Sequence, residues 1–169
     1  MAQAYKPLPH ASELWELFAY KPLTGELVRK QGVQGGDISG LAGGLTSNGY
    51  VSLCFKGQKY QAHRVVWCWV TGSDAGAFEV DHQDRNRSNN RFSNLRLANS
   101  AENKYNASKR PHSKQPLKGV ERTQAGSYRA RIRVGGIRRS LGTYGTAEEA
   151  GAAYAKAAAE LHGEFACME

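Results

Sequence analysis

Cysteine is scarce in this chain of 169 residues: there are three, Cys54, Cys68 and Cys167, and no C-x-x-C pair. An odd, scattered count argues against a disulfide framework and against a cysteine-based zinc site. It fits a reducing, intracellular setting in which the thiols are small apolar fillers. Long hydrophobic runs are missing too. No stretch approaches the length of a membrane span, and the opening MAQAYKPLPHASELW has no signal-like apolar core. Acid is sparse in two stretches of the second half. From His82 to Lys118 nine Lys/Arg stand against two acids, and from Arg122 to Arg139 six arginines stand against none. The first 81 residues carry seven charges of each sign. The formal net charge of +8 is therefore concentrated in two blocks. Such blocks attract polyanions, of which nucleic acid is the usual one. By charge alone, a solvated basic surface is an equal reading.

What is present is patterned. ASELWELF, Ala11 to Phe18, predicts a short helix with Leu14, Trp15 and Phe18 on one face. LTGELVRK reads as a turn and a strand, and the glycine-rich QGGDISGLAGGLTSNG as a loop. After that loop, Tyr50, Ser52 and Cys54 alternate with Val51, Leu53 and Phe55, and Lys56-Gly57-Gln58 is a hairpin turn. AHRVVWCWVTG is apolar and ends in glycine, as a short buried helix would. Phe78 to Val80 form a strand that delivers Asp81 and His82 at its end. A polar loop to Asn94, a strand around Leu95 and Leu97, and a helix capped by Asn99 with Glu102 at its third position follow. RPHSKQPLK, with two prolines, is a linker, placed at 110–117. Beyond it come three short strands, with Tyr128, Ala130, Ile132 and Val134 on one face and Arg129, Arg131 and Arg133 on the other. Gly135-Gly136 is a hairpin signal. A last helix has a Thr146/Glu149 capping box, an apolar stripe of Ala150, Ala153, Tyr154, Ala157 and Leu161, and a stop at Gly163.

Asp81 and His82 lead the run VDHQDRNRSNN. A hard divalent cation takes oxygen ligands and needs only one or two from the protein. Asp81 offers a carboxylate, and an asparagine can add an amide oxygen. Successive strand residues point apart, which separates His82 from that ion. An imidazole of ordinary pKa, ~6.5, suits a general base acting on water. An Asp-His pair alone is weak evidence for these roles.

The longer pattern is more specific. D-H-x-D-x-N-x-x-N-N-x-x-x-N-L, followed by E-N-x-x-N, resembles the HNH nuclease family, in its phage and intron types without a zinc ribbon. YKPLTGELVRK and GYVSLCFKGQKYQAHRVVW are similar to the text that precedes the motif there. The resemblance spans about Leu14 to Asn106. It implies His82 as general base and Asp81 as metal ligand. It implies Asn94 as the loop-bracing asparagine of the catalytic motif and Asn103 as the second metal ligand. One divalent ion is implied, Mg²⁺ first and Mn²⁺ as an alternative, and no zinc. Asn86, Asn89 and Asn90 read as turn-forming residues, and His63 as a packed or DNA-facing histidine. His10, His112 and His162 receive no role.

KGVERTQAGSYRARIRVGGIRRSLGTYGTAEEAGAAYAKAAAELHGEFA, about Lys118 to Ala166, resembles the AP2/ERF DNA-binding domain. That resemblance implies DNA contact by Arg122, Arg129, Arg131, Arg133 and Arg138. Tyr128 stands where that family commonly has tryptophan. From the first basic block, Arg85, Arg87, Arg91, Arg96 and Lys104 are further DNA-binding candidates.

The fold expected is α+β. An HNH (ββα-metal) module covers 1–109, and an AP2-like three-stranded antiparallel sheet on one helix covers 118–169. The expected function is metal-dependent hydrolysis of double-stranded DNA by a free-standing phage homing endonuclease. It would act inside the cell, without a membrane, as a monomer or a dimer. A non-enzymatic DNA-binding regulator is the main alternative, and an RNA-binding or structural role is a weaker one.

Overall fold

A computed structural model describes residues 7–30, 40–109 and 113–167. The first part of the glycine-rich loop and the start of the linker, with His112, lie outside the described residues. The chain forms two compact units, Met1–Asn99 and Ser100–Glu169. Among the described residues no helix is long and apolar enough to cross a membrane.

The first unit opens with helix α1 (Ala11–Leu17), which runs directly into strand β1 (Phe18–Lys21). β1 pairs antiparallel with β2 (Glu26–Arg29). Leu14 and Phe18 are fully buried, whereas Trp15, expected on their face, is 45% exposed. Its indole N–H donates to the Trp69 carbonyl at 2.7 Å, so the amphipathic ring lies along the surface with its polar end satisfied.

A second sheet has the order β3 (Gly44–Leu45), β4 (Val51–Phe55), β5 (Gln58–Gln61). Leu53 and Phe55 face the core and Cys54 is exposed, as the alternation requires. Lys56 and Gly57 both have positive φ, 49° and 70°, the pairing that a two-residue turn of primed type needs. Helix α2 (Ala62–Thr71) buries Val65, Val66 and Cys68 and ends on left-handed Gly72. It packs against β6 (Glu79–His82), which pairs antiparallel with β7 (Leu95–Ala98). One apolar core gathers Leu14, Phe18, Leu27, Leu53, Phe55, Val65, Val66, Val80 and Leu95.

The second unit holds α3 (Ser100–Asn106), β8 (Val120–Arg122), β9 (Tyr128–Val134), β10 (Ile137–Tyr144) and α4 (Ala147–His162). The sheet is antiparallel with order β10-β9-β8, and α4 packs on it. Gly135 and Gly136 turn the hairpin at φ 56° and 83°. Both halves of the Thr146/Glu149 capping box are formed. Ala130 and Ile132 are buried beneath Ala150, Tyr154, Ala157 and Ala158. Small side chains let the helix lie close. Gly119 extends this: a Cβ there would collide with the Tyr154 ring and lie 2.8 Å from the Arg131 carbonyl.

Two expectations change here. Leu161, expected in the α4 stripe, is 40% exposed, and His162 takes the buried position instead. Its ring stacks on Tyr105 at 3.8 Å, and its Nε2 donates to the Arg133 carbonyl at 2.8 Å. The units also divide at Asn99/Ser100 rather than along the linker at 110–117. The physical reason is that α3 packs within the second unit. Besides the Tyr105 stack, the Lys118 ammonium donates to the Tyr105 and Ala107 carbonyls at 2.6 and 2.5 Å, satisfying the C-terminal end of α3.

Candidate functional site

The site grows from the β6–β7 hairpin and its long connection. β6 reads Glu-Val-Asp-His, exposed and then buried three times over, so Asp81 and His82 enter the unit's interior from a strand end. Asp81 is 7% exposed and His82 is 4% exposed. Alternation sends them to opposite faces.

On one face Asp81 lies across the ladder from Arg96, its register partner. Arg96 Nε and NH2 both donate to Asp81 Oδ2 at 3.0 Å. Arg96 is 9% exposed. It was expected on the DNA-facing surface, and the structure instead buries it. Burying a charge is costly, and here the facing strand supplies the opposite charge that offsets the cost.

On the other face His82 meets two rings. His63, from the first turn of α2, stands edge-on at 4.9 Å, and Tyr50, just before β4, is 6.0 Å away. His82 Nε2 lies 3.0 Å from Asn90 Oδ1. An amide oxygen can only accept, so Nε2 is the nitrogen that donates in this bond. Burial, with help from His82 and Arg64, pushes His63 down to about 3, so it stays neutral beside His82. Its Nδ1 is buried without a hydrogen-bond partner among the described residues.

The connection between the strands holds itself together. Asp84 accepts from the Asn86 amide at 2.9 Å, from Asn89 Nδ2 at 2.6 Å and from Asn94 Nδ2 at 2.8 Å. Asn94 also accepts from the Asp84 amide and donates to the Asn89 carbonyl. Partial burial works against the Asp84 carboxylate, but the bonds from Asn89, Asn94 and Asn86 outweigh it and hold its pKa below the ordinary value. Asn86 in turn accepts from the Ser88 amide and hydroxyl. The β1–β2 hairpin supports the loop from outside. Tyr20 OH donates to the Asn90 carbonyl and accepts from the Phe92 amide, and Arg91 Nε donates to the Leu23 carbonyl at 2.6 Å. Gly25, at φ 79°, lies so close to the Asn90–Arg91 peptide that any Cβ would overlap it.

The sequence candidates thus separate. Asp81, His82 and Asn94 belong to the first unit, and Asn103 and Lys104 lie on α3 in the second. Arg91 is tied to the β1–β2 turn. Arg85 sits at φ 64°, and Arg87 is exposed. Arg122, Arg133 and Arg138 are exposed, Arg129 is half-buried, and Arg131 pairs with Glu121 at 3.1 Å. Three residues stand out only in the structure: Tyr50, Asp84 and Asn90. A carboxylate set among asparagines at turn spacing was the available signal for Asp84. Nothing local marked Tyr50.

A metal would find oxygen donors here and no thiolate. Among the described residues no group of three or more His, Cys, Asp or Glu converges. A hard cation bound by Asp81 would draw most of its ligands from water and phosphate and would share that carboxylate with Arg96.

Residues 60–105 match a family model described as HNH endonuclease, so the match takes in α2, both strands of the β6–β7 hairpin and all but the last residue of α3. The chain is 36% identical over 109 residues to a protein of Acanthamoeba polyphaga mimivirus named as an uncharacterized HNH endonuclease. That alignment covers 64% of this chain and 56% of the relative, so the chain spans about half the length of the curated protein it matches. No solved structure matches it.

Proposed function

We propose that the chain is a metal-dependent DNA endonuclease whose cleavage centre is the β6–β7 hairpin with its loop. The observation that carries this is the His82–Asn90 bond inside the segment that matches the HNH endonuclease model. It orients the His82 ring through Nε2 and so directs the base role to Nδ1, on a ring flanked by His63 and Tyr50.

His82 Nδ1 takes the proton from the attacking water, and Asn90 keeps the ring from turning away. Asp81 would hold one divalent ion, Mg²⁺ first and Mn²⁺ as the alternative, with water and phosphate oxygens as its other ligands. When bound, such an ion polarises the scissile phosphate and stabilises the leaving oxygen. Asn94 and Asp84 act through structure, by fixing the loop.

The second unit supplies grip on double-stranded DNA. The support is its three-stranded sheet on one helix, with Arg133 and Arg138 exposed as cross-strand partners. Its AP2-like character, and a place among phage homing endonucleases acting inside the host cell, rest on the sequence resemblance. Tethering the two activities raises the effective concentration of the cleavage site on bound DNA.

The test is conversion of supercoiled plasmid with and without Mg²⁺, wild type beside His82→Ala. Metal-dependent nicked or linear product, lost in the variant, is expected. Nicked product alone points to one active centre per complex, and linear product points to two. Tight, salt-sensitive duplex binding with no cleavage under any divalent metal would replace this reading with that of a DNA-binding regulator.

A further inference from the structure

Tyr50 lies outside the HNH-like motif, at the end of the turn that joins β3 to β4, yet it reaches the general base. Its ring is 6.0 Å from that of His82 and 5.4 Å from that of His63. The other neighbour of Tyr50 is a cation: the Arg87 guanidinium carbon stands 4.8 Å from the ring centroid. Arg87 NH1 also donates to the Asn48 carbonyl at 2.9 Å, on the same turn. The turn itself is closed, with the Thr46 amide and hydroxyl donating to the Tyr50 carbonyl at 2.7 and 2.9 Å.

An exposed arginine ordinarily samples many rotamers. Here a ring face and a carbonyl hold it at two points, and the ring is the one that borders His82. A guanidinium has five N–H donors, and among the described residues only one of them is engaged. No acid pairs with Arg87 among the described residues. A cation fixed in place, with unused donors in a planar fork, matches the geometry of phosphate oxygens.

We propose that Tyr50 is a positioning residue that holds Arg87 beside His82, so that Arg87 binds a DNA backbone phosphate at the cleavage centre. The inference rests on the endonuclease reading and names one of that site's phosphate contacts. Tyr50 acts through its face, as a cation–π platform. Its hydroxyl is not required.

The experiment compares the full-length wild type with Tyr50→Phe, Tyr50→Leu, Arg87→Ala and the Tyr50→Leu/Arg87→Ala double variant. Binding of a short duplex is measured across salt concentrations without divalent metal, and cleavage is measured with Mg²⁺. Arg87→Ala should lower the slope of log affinity against log salt by about 1. It should also cut kcat/KM by about 10- to 100-fold. Tyr50→Leu should reproduce most of both losses, Tyr50→Phe should retain wild-type behaviour, and the double variant should be no worse than Arg87→Ala alone. Additive losses, a Tyr50→Phe defect equal to that of Tyr50→Leu, or an unchanged slope in Arg87→Ala would each overturn the proposal. The Arg87 side-chain protons provide a readout that needs no variant. Ring-current shifts on them support the stack, and their absence overturns it. Slope changes in a protein that binds but never cuts would sink the endonuclease reading and keep the phosphate site. Cutting with unchanged slopes would do the reverse, and no duplex binding at all would overturn both.

Discussion

Asn90 Oδ1 accepts from His82 Nε2 at 3.0 Å, and both residues are buried. The bond crosses eight residues of chain and fixes which imidazole nitrogen donates in it. Asn90→Ala should lower kcat by about 10- to 100-fold, less than the ~10²–10⁴ expected for losing His82 as base. Duplex affinity should stay near wild type. Steady-state cleavage beside equilibrium binding checks this, and an equal loss in both would show that Asn90 shapes the DNA surface instead.

Gly25 lies against the Asn90–Arg91 peptide with φ 79°. Gly25→Ala adds both a positive-φ penalty and a backbone overlap, so destabilisation of at least ~1–3 kcal/mol is expected. Urea unfolding measures it. The variant should also cut DNA more slowly at temperatures where it remains folded, because the displaced peptide belongs to the residue that holds His82.

Arg85 shows the opposite case, a bulky residue at φ 64°. Arg85→Gly should stabilise the fold by up to ~1 kcal/mol through relief of that conformation. If Arg85 contacts phosphate, the same change weakens duplex binding. Stability and affinity moving in opposite directions would mark strain kept for function, and a stability loss would mean that the arginine's packing outweighs the strain.

His63 titrates near 3 when folded, against ~6.5 unfolded, chiefly because of burial. Below the unfolded value the unfolded chain binds a proton that the folded chain refuses. His63 therefore favours the fold fully above about pH 6.5 and progressively less as pH falls toward 3. Asp84 adds a second loss at lower pH. Its depressed value favours the fold above the ordinary carboxylate pKa of ~3.9, and that contribution disappears as pH falls through the folded value. Denaturation midpoints measured across pH should fall from about pH 6.5 downward, and His63→Leu should flatten that first limb.

The hairpin arginines supply the last prediction. Arg133 and Arg138 are cross-strand partners in the β9–β10 register. Replacing either with alanine should weaken duplex binding across sequences and lower the salt slope by about 1 each if they contact phosphate alone. A change confined to particular sequences would mean that they read bases.

Much of this was legible locally. The Gly135-Gly136 turn, the Thr146/Glu149 box, the glycine end of α2 and the strand that delivers Asp81 and His82 all follow from residue chemistry acting over a few positions. What failed was side-chain direction near element ends. Trp15 and Leu161 are apolar and in phase with their stripes, yet neither helix offers them a covered place. His162, which local sequence gave no role, found a buried one because Tyr105 supplies a flat ring to stack on.

The order of elements, the concentration of positive charge and the identity of the Asp81-His82 motif were determined by the sequence itself. Each depends on period, composition or spacing, which the chain carries wherever it folds. Three things were decided only by tertiary structure. Arg96 became the buried partner of Asp81, because the β6–β7 register put them opposite each other. Asn90 became the partner of His82, because a loop braced by Asp84 and Asn94 turns back on the strand it leaves. Tyr50 and His63, from a turn and a helix earlier in the chain, became the walls around that histidine. Each is a meeting of groups distant in sequence, and such meetings depend on how elements pack, which no local pattern encodes.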